Sequence, residues 1–329
     1  MPVKPRVGFL GVGWIGRHRM QAILGTGAVE AAAIADPSPD NAAEAVRLAP
    51  GAALVPDLDA MLALGLDGVV IATPSALHAE QAVRALEAGA AVFCQKPLGR
   101  TAAEAGAAVE AARAADRLLA VDLSYRFTAG MVAIRDLVRE GALGRVYAAD
   151  LVFHNAYGPD KPWFYDPALS GGGCVMDLGV HLVDLALWVL GFPEVDGVEA
   201  RLFAGGEPLG KRPDRVEDYG IATLALAGGA AVRLACSWRL QAGRDAVIEA
   251  AFYGTEGGAA LRNRDGSFYD FVAERYRGTA RETLAEPPDE WGGRAAADWA
   301  RRLAAGGRFD AAAAEAVTVA RVLDRIYGR

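Results

Sequence analysis

Apolar and polar positions alternate along the first third of the chain in a pattern that predicts strands and helices in turn. Short apolar runs, typical of buried strands, are followed by stretches with apolar residues at helical spacing. The predicted strands are Arg6–Leu10, Val29–Ala35, Gly68–Ala72, Ala91–Cys94 and Leu118–Val121. The predicted helices are Trp14–Leu24, Ala76–Ala88 and Thr101–Ala115. This alternation predicts an α/β fold with a doubly wound parallel sheet covered on both faces.

The pattern changes at about Leu123, where a second domain is expected to begin. Helices are predicted over Met131–Gly141 and Val175–Leu190. An extended segment is predicted over Val146–His154, and a loop over Asn155–Ser170. Extended stretches separated by glycine-containing turns follow at Val195–Phe203, Asp218–Ala227, Ala231–Leu240, Ala246–Tyr253 and Gly258–Arg262. Consecutive strands with short turns indicate a mainly antiparallel open sheet. The closing helices, Glu290–Ala305 and Ala311–Tyr327, show the apolar spacing of packing elements. Residues 123–329 are therefore predicted to form an α+β domain.

A glycine-rich turn joins the first predicted strand to the first predicted helix. Gly11 permits a tight turn, Gly13 lets the backbone approach a pyrophosphate, and Gly16 lets the helix pack closely on the strand. The helix begins with Trp14 and Ile15, and its N-terminus offers N–H groups and a positive dipole end to phosphates. Residues 1–122 are accordingly predicted to be a Rossmann dinucleotide-binding domain.

The second predicted strand ends in Asp36, twenty residues after Gly16. An acidic residue at this spacing binds the adenosine ribose hydroxyls, and it repels the 2′-phosphate of NADP. Because no arginine follows in residues 37–41, NAD is favoured over NADP. The alternative is that Asp36 only starts a turn or caps the next helix.

Two segments follow directly after predicted strands, where ligands bind to parallel sheets. They are Thr73 with Pro74, and Gln95 with Lys96 and Pro97. His78 lies early in the helix after Pro74, so it is either close to the cofactor or a capping or solvent-facing residue.

Composition and charge exclude several classes of protein. The chain of 329 residues has 53 % hydrophobic and 23 % charged residues, as in a folded globular protein. A net charge of -7 without a basic run argues against a nucleic-acid partner. Apolar stretches are short or interrupted and the N-terminus lacks a signal-like core, so we expect a cytoplasmic protein without a membrane partner. Cys94, Cys174 and Cys236 are expected to be small buried residues in a reducing compartment.

Five motifs together resemble the glucose-fructose oxidoreductase, inositol dehydrogenase and MocA family, and the resemblance covers essentially the whole chain. They are GVGWIG with Asp36, ATPSALH at 72–78, QKPLG at 95–99, SYRF at 124–127 and GGGCVMDLGVHLVDLALWVLG at 171–191. The resemblance implies an NAD-dependent oxidoreductase acting on the CH–OH group of a sugar, polyol or cyclitol. It also implies that the sheet of the second domain contributes to a homodimer or homotetramer.

By the same resemblance, Lys96 is an active-site lysine, Asp177 an acid and His181 a general acid/base. The family usually has Glu-Lys-Pro where this sequence has Gln95-Lys96-Pro97, a difference expected to affect the tuning of the lysine and the cofactor contacts. The chemistry suits these residues, because oxidation of an alcohol needs a base for the hydroxyl proton and a partner for the developing charge on oxygen. Histidine changes protonation near neutral pH, and lysine can hold the oxygen by a charged hydrogen bond.

Asp177 and His181 are spaced i, i+4 and so lie on one face of the predicted helix. The pair could share a metal ion, but no third ligand is evident, and no metal is predicted. His181 alone on an apolar helix would more often be a core histidine, and the surrounding motif favours catalysis instead.

Side chains expected to line the substrate pocket are Tyr125, Arg126, Asn155, Tyr157 and Trp163. The two loop aromatics could equally be anchors of the loop, and Arg126 could pair with an acid between the domains. Two other functions stay open: a glycosidase that uses NAD for transient oxidation, and a non-catalytic regulator that binds a dinucleotide. The presence of Lys96, Asp177 and His181 together argues against the regulator.

Overall fold

The computed structural model describes residues 3–210 and 215–329, which form two compact units. Met1 and Pro2, the first residues of the N-terminal segment in which no signal-like core was expected, lie outside the described residues. The first unit contains the described residues through Ser124 together with Gly293–Val317, and the second contains those from Tyr125 to Gly292 together with Thr318–Arg329.

The first unit is built on a parallel sheet of six strands in its described part. The strands are β1 (Arg6–Leu10), β2 (Glu30–Ala35), β3 (Ala53–Leu54), β4 (Gly68–Ile71), β5 (Ala91–Cys94) and β6 (Leu119–Val121). Their order is β3-β2-β1-β4-β5-β6, and every neighbouring pair is parallel. The strand order reverses between β1 and β4, which is where this fold binds dinucleotides. The predicted doubly wound sheet is confirmed.

Helices connect the strands of the first unit. They are α1 (Trp14–Gly25), α2 (Pro39–Leu48), α3 (Leu58–Leu62), α4 (Ser75–Glu87) and α5 (Ala102–Ala115). The sequence pattern did not predict α2 and α3. The local chemistry explains α2: Ser38 caps it by accepting a hydrogen bond from the Asn41 N–H, and Pro39 occupies its first turn.

A late segment of the chain also packs in the first unit. Helix α9 (Arg294–Ala304) carries Trp299, which is fully buried with its ring centroid 5.9 Å from that of Phe93. A Cβ added to Gly68 would lie 2.9 Å from Trp299, so the strand approaches the indole closely. Residues 293–317 therefore belong with the first unit, whereas the sequence assignment placed all of 123–329 in one domain.

The second unit contains a sheet of nine strands among the described residues. They are β7 (Val146–Asn155), β8 (Val195–Ala204), β9 (Glu207–Pro208), β10 (Tyr219–Leu226), β11 (Ala231–Ser237), β12 (Ala246–Gly254), β13 (Gly258–Asn263), β14 (Phe271–Arg277) and β15 (Ala280–Ala285). Their order is β15-β14-β13-β12-β7-β11-β10-β8-β9, and only β7 and β11 pair in parallel in these described strands. The predicted, mainly antiparallel sheet is confirmed. Strands β14 and β15 were not predicted, because charged residues interrupt their apolar alternation.

The remaining helices are α6 (Ala129–Arg139), α7 (Pro167–Ser170), α8 (Val180–Leu190) and α10 (Glu315–Ile326). A π-helical turn, Val175–Gly179, leads into α8, so the predicted helix is present but begins with a wider turn. In the described chain, one segment, Pro167–Leu190, is long and apolar enough to span a membrane, contrary to the expectation that every such stretch is interrupted. Its most apolar window is 83 % buried inside the protein, as in the core helix of a folded domain.

Candidate active site

The glycine-rich turn of the first unit has the geometry that the sequence predicts. Gly11 has φ of +81°, and a Cβ there would lie 2.6 Å from the Ala72 carbonyl oxygen. A Cβ on Gly16 would lie 2.2 Å from the Gly11 carbonyl oxygen, so helix and turn are in direct contact. A Cβ on Gly13 would meet no described atom within 4 Å. The backbone at Gly13 is therefore open to a ligand, and the turn fits a dinucleotide.

The N-terminus of α1 adjoins this turn. Gly13 is its N-cap and no side chain in the described chain caps it, whereas Thr101 caps α5. Trp14 is 58 % exposed, stands at the first helical position, and has its ring centroid 4.4 Å from that of His18. Uncapped N–H groups beside an open backbone suit a pyrophosphate.

Asp36 connects the end of β2 to the glycine turn. Its Oδ2 accepts a hydrogen bond from the Val12 N–H at 2.7 Å, and its Oδ1 accepts one from the Ser38 N–H at 2.8 Å. The hydrogen bond from Ser38 corresponds to the turn-starting role considered for Asp36. The hydrogen bond from Val12 holds the carboxylate beside the glycine-rich turn. The side chain stays half-buried.

His78 connects the two loops that follow β4 and β5. Its Nδ1 lies 2.7 Å from the Pro97 carbonyl oxygen and its Nε2 lies 2.7 Å from the Thr73 carbonyl oxygen. The ring is 2 % exposed, and burial lowers the pKa of His78 below its ordinary value. Thr73 Oγ1 also donates to Gln81 Oε1 at 2.6 Å. His78 thus fixes the segments containing Pro74 and Lys96, a bridging role that neither alternative had included.

Gln95 contacts a carboxylate that the sequence analysis did not single out. Its Nε2 donates to Asp122 Oδ2 at 2.5 Å, and Arg19 of α1 forms an ion pair with the same carboxylate. All three side chains are buried, and Lys96, the next residue after Gln95, is half-buried. Buried charges of this kind are usually paired, as these are.

The helix with the predicted acid and histidine is held at its start by Glu217, which the sequence analysis also missed. Glu217 Oε1 accepts hydrogen bonds from the N–H groups of Gly173 and Val175, both at 2.9 Å, and its backbone oxygen accepts from the Cys174 N–H at 3.0 Å. A Cβ on Gly173 would lie 1.9 Å from that backbone oxygen. The glycines before the helix therefore permit the close approach of Glu217.

Asp177 is half-buried in a stretch, residues 170–187, whose other members are all buried. Trp238 Nε1 donates to Asp177 Oδ2 at 3.1 Å, and Trp238 is itself buried. One helical turn later, His181 is 8 % exposed, with its ring centroid 4.8 Å from that of Tyr125 and 6.4 Å from that of Phe153. Asp177 thus stays partly accessible, and the His181 ring is held among aromatic rings.

The other predicted substrate residues of the second unit have different environments. Arg126 forms a two-fold ion pair with the buried Asp184 of the same unit, with Nε–Oδ2 at 2.9 Å and Nη2–Oδ1 at 2.5 Å. Asn155 Oδ1 is buried without a hydrogen-bond partner among the described residues. Tyr157 is 53 % exposed, and Trp163 stacks on Phe164 at 3.8 Å.

The cysteines are buried, as predicted, and none of the three forms a disulfide. The Sγ atoms of Cys174 and Cys236 lie 3.9 Å apart, and burial raises the pKa of the Cys174 thiol. Within residues 3–210 and 215–329 no three His, Cys, Asp or Glu side chains are grouped to hold a metal ion.

Comparison with known proteins identifies the family that this fold and these motifs indicate. The family model described as "Oxidoreductase family, NAD-binding Rossmann fold" matches residues 5–123, and "GFO/IDH/MocA C-terminal domain" matches residues 131–260. The chain belongs to the GFO/IDH/MocA family of oxidoreductases, and its first unit contains the NAD-binding Rossmann domain. The resemblance found in the sequence is confirmed.

Individual relatives are dehydrogenases of sugars and cyclitols. D-glucoside 3-dehydrogenase of Escherichia coli is 31 % identical over 214 residues, which cover 61 % of this chain and 60 % of that relative's length. Inositol 2-dehydrogenase of Rhizobium meliloti is 30 % identical over 260 residues, 79 % of this chain and 76 % of the relative. A solved structure of levoglucosan dehydrogenase in complex with NADH and levoglucosan matches with a TM-score of 0.82 and 25 % identity, over 98 % of this chain and 96 % of that one.

Proposed function

We propose that the chain is an NAD-dependent dehydrogenase or reductase acting on a carbinol carbon of a sugar, polyol or cyclitol. The observation that carries the proposal is Asp177, the half-open carboxylate of an otherwise buried stretch, followed one turn later by His181. A core helix has no packing need for this pair. The relatives named as glucoside and inositol dehydrogenases support the substrate class.

The cofactor side of the proposal rests on the first unit. Gly11, Gly13 and Gly16 with the start of α1 would hold the pyrophosphate of NAD, and Asp36 would bind the adenosine ribose. When bound, NAD supplies the hydride acceptor or donor for the reaction.

The roles of the protein's own groups follow from the proton balance of the reaction. In the oxidation direction His181 takes the proton of the substrate hydroxyl, and the Lys96 ammonium stabilises the charge that develops on the oxygen. Asp177, held by the Trp238 N–H, orients the substrate or the imidazole. Asn155 Oδ1, a buried acceptor without a partner in the described chain, is proposed to accept a substrate hydroxyl. Tyr125 packs beside His181 and restricts the ring.

The test is to follow NADH absorbance while purified protein is offered inositols, aldoses and glucosides with NAD, and their oxidised forms with NADH. Turnover with one of these classes supports the proposal. Confirmed NAD binding without turnover of any of them, in either direction, overturns it and favours the redox-assisted glycosidase or the regulator.

A substitution tests the role of His181. His181→Ala is expected to leave NAD affinity within about twofold while lowering kcat by about 100-fold or more, the contribution typical of general acid/base groups. His154→Ala is the matched control, because His154 lies in the same unit but packs on Tyr219 and Ser237. Equal losses of NAD affinity and turnover in His181→Ala would contradict the assigned role.

We also propose a cytoplasmic homodimer or homotetramer formed through the sheet of the second unit. One face of the sheet packs on α6 and α8, and strand alternation places Val152 and Val247 on the other. That face also carries the ion pair of Arg262 with Glu249 at 2.9 Å, so these two charges are already paired before contact with a second copy. Light scattering across a concentration series that shows a monomer throughout would overturn this assembly.

A further inference from the structure

Four side chains beyond the carboxyl ends of β5 and β6 form a buried network inside the first unit. Gln95 Nε2 and Arg19 Nε both donate to Asp122 Oδ2, each at 2.5 Å. Ser124 Oγ donates to Asp122 Oδ1 at 2.7 Å and accepts from Arg19 Nη2 at 3.1 Å. Asp122 is 1 % exposed, and Arg19 and Gln95 are 8 % exposed.

The network connects the cofactor helix to the segment that contains the lysine. Arg19 lies in α1, whose N-terminus follows the glycine turn. The Gln95 N–H donates to the Ile71 carbonyl oxygen and the Asp122 N–H to the Cys94 carbonyl oxygen, both at 2.9 Å. Because Lys96 follows Gln95 directly, the direction in which Lys96 leaves the sheet depends on how Gln95 is held.

Charge explains why residue 95 is an amide in this chain. The buried part of the network contains one cation, Arg19, and one carboxylate, Asp122. Glutamate at position 95 would set a second carboxylate against Asp122 with no second cation among the network's residues. An unpaired charge in such a buried place is strongly unfavourable, whereas the amide donates a hydrogen bond without adding charge.

We propose that Gln95 is a positioning residue for Lys96, acting as the neutral donor of an amide–carboxylate pair in which Asp122 carries the negative charge and Arg19 balances it. The inference rests on the proposed function, because positioning Lys96 changes turnover only if Lys96 acts on the substrate. In this chain the carboxylate that supports the segment containing Lys96 is therefore that of Asp122, and residue 95 is its neutral partner.

The test is a double-mutant cycle of Gln95→Glu, Asp122→Asn and the pair combined, with Gln21→Glu on the exposed side of α1 as the matched control. Gln95→Glu is expected to lower kcat about 10- to 100-fold, as small displacements of a catalytic group do. The combined variant restores one carboxylate opposite Arg19 and is expected to recover about tenfold of that loss.

The pH profile separates positioning from a general loss of structure. When Gln95→Glu is brought to lower pH, one of the two adjacent carboxyl groups takes up a proton and can donate as the amide does. The ratio of its kcat to that of the wild type should therefore rise as the pH falls, while the ratio for Gln21→Glu stays constant. Urea unfolding and NAD titration of every variant show whether folding and cofactor binding are retained.

The outcomes distinguish the two proposals. If the wild type turns over a substrate and Gln95→Glu matches Gln21→Glu at every pH, the positioning role is overturned and the proposed function stands. The positioning role is also overturned if all variants fold and the kcat of the combined variant is no higher than that of Gln95→Glu. If the wild type shows no turnover with any substrate class, the proposed function fails and the kinetic role of Gln95 fails with it.

Discussion

Replacing Glu217 by alanine would remove the acceptor that fixes the start of the helix with Asp177 and His181. In the native protein Glu217 Oε1 accepts the N–H groups of Gly173 and Val175 and the hydroxyl of Tyr327, the last at 2.8 Å. Burial raises the pKa of Tyr327 well above its ordinary value, with a further contribution from the Glu217 charge, so this hydroxyl remains a donor.

The magnitude follows from the number of buried donors left without an acceptor. Each costs about 1 to 3 kcal/mol when its partner is removed. Some of the three will find other partners as the structure relaxes, so we expect Glu217→Ala to lower the free energy of unfolding by about 4 kcal/mol. Glu217→Gln keeps an oxygen at the Oε1 position and should cost less than about 1.5 kcal/mol.

The pH dependence of the same variants gives a second prediction with a fixed sign. Burial raises the pKa of Glu217, although the hydrogen bonds from Val175, Tyr327 and Gly173 oppose the shift. The folded state therefore holds this proton more tightly than the unfolded state, and the stabilisation it contributes at low pH is lost as the pH rises through the raised pKa. Glu217→Gln should lack that loss.

The assay is urea unfolding followed by tryptophan fluorescence at several pH values, with Glu282→Ala on the exposed strand β15 as the control. If the free energy of unfolding of Glu217→Ala lies within about 1 kcal/mol of that of the control, the count of buried donors is refuted. A Glu217→Gln variant that is as unstable as Glu217→Ala would refute it as well.

Two further substitutions test the first unit. Gly13→Ala is expected to lower NAD affinity about tenfold or more, because the dinucleotide approaches this backbone. Its stability should match that of the control Gly25→Ala, where a Cβ also meets no described atom within 4 Å. Equal NAD affinities of the two variants in a fluorescence titration would contradict the prediction. His78→Ala removes the ring between the Thr73 and Pro97 carbonyl oxygens; because a neutral imidazole donates to only one of them, one buried acceptor loses its donor, at a cost of about 1 to 3 kcal/mol in urea unfolding. Since burial lowers the pKa of His78, protonation favours the unfolded state as the pH falls. The free energy of unfolding of His78→Ala should therefore fall less between pH values of about 7.5 and 5.5 than that of the wild type. An equal fall in both proteins would exclude His78 as a source of the pH dependence of stability.

The sequence predicted the elements whose residues are neighbours along the chain. Apolar runs and the glycine turn were sufficient for β1, α1 and the position of Asp36, because strand, turn and helix are determined by local spacing. The parallel arrangement of the strands followed from their alternation with helices, whereas their order in the sheet was seen only in the structure. The pattern was insufficient for α2, whose buried residues, Ala42 and Ala45, are small, and for β14, in which the charged Glu274, Arg275 and Arg277 follow the buried Phe271 and Ala273.

The supporting residues of the candidate site depend on contacts between distant parts of the chain, which local spacing does not contain. Glu217 lies 44 residues from Gly173, Asp122 lies 27 from Gln95, and Trp238 lies 61 from Asp177. Yet Asp122 and Trp238 directly follow β6 and β11, just as Gln95 follows β5. In the parallel sheet of the first unit, polar residues that follow neighbouring strands meet at one edge of the sheet. Gln95 and Lys96 were selected because they follow a strand in this way. Asp122 is selected for the same reason once β6 is known to be the neighbour of β5. Glu217 has no comparable signal, since its role depends on a turn of glycines that lets the segment before β10, distant in the chain, approach the start of a helix.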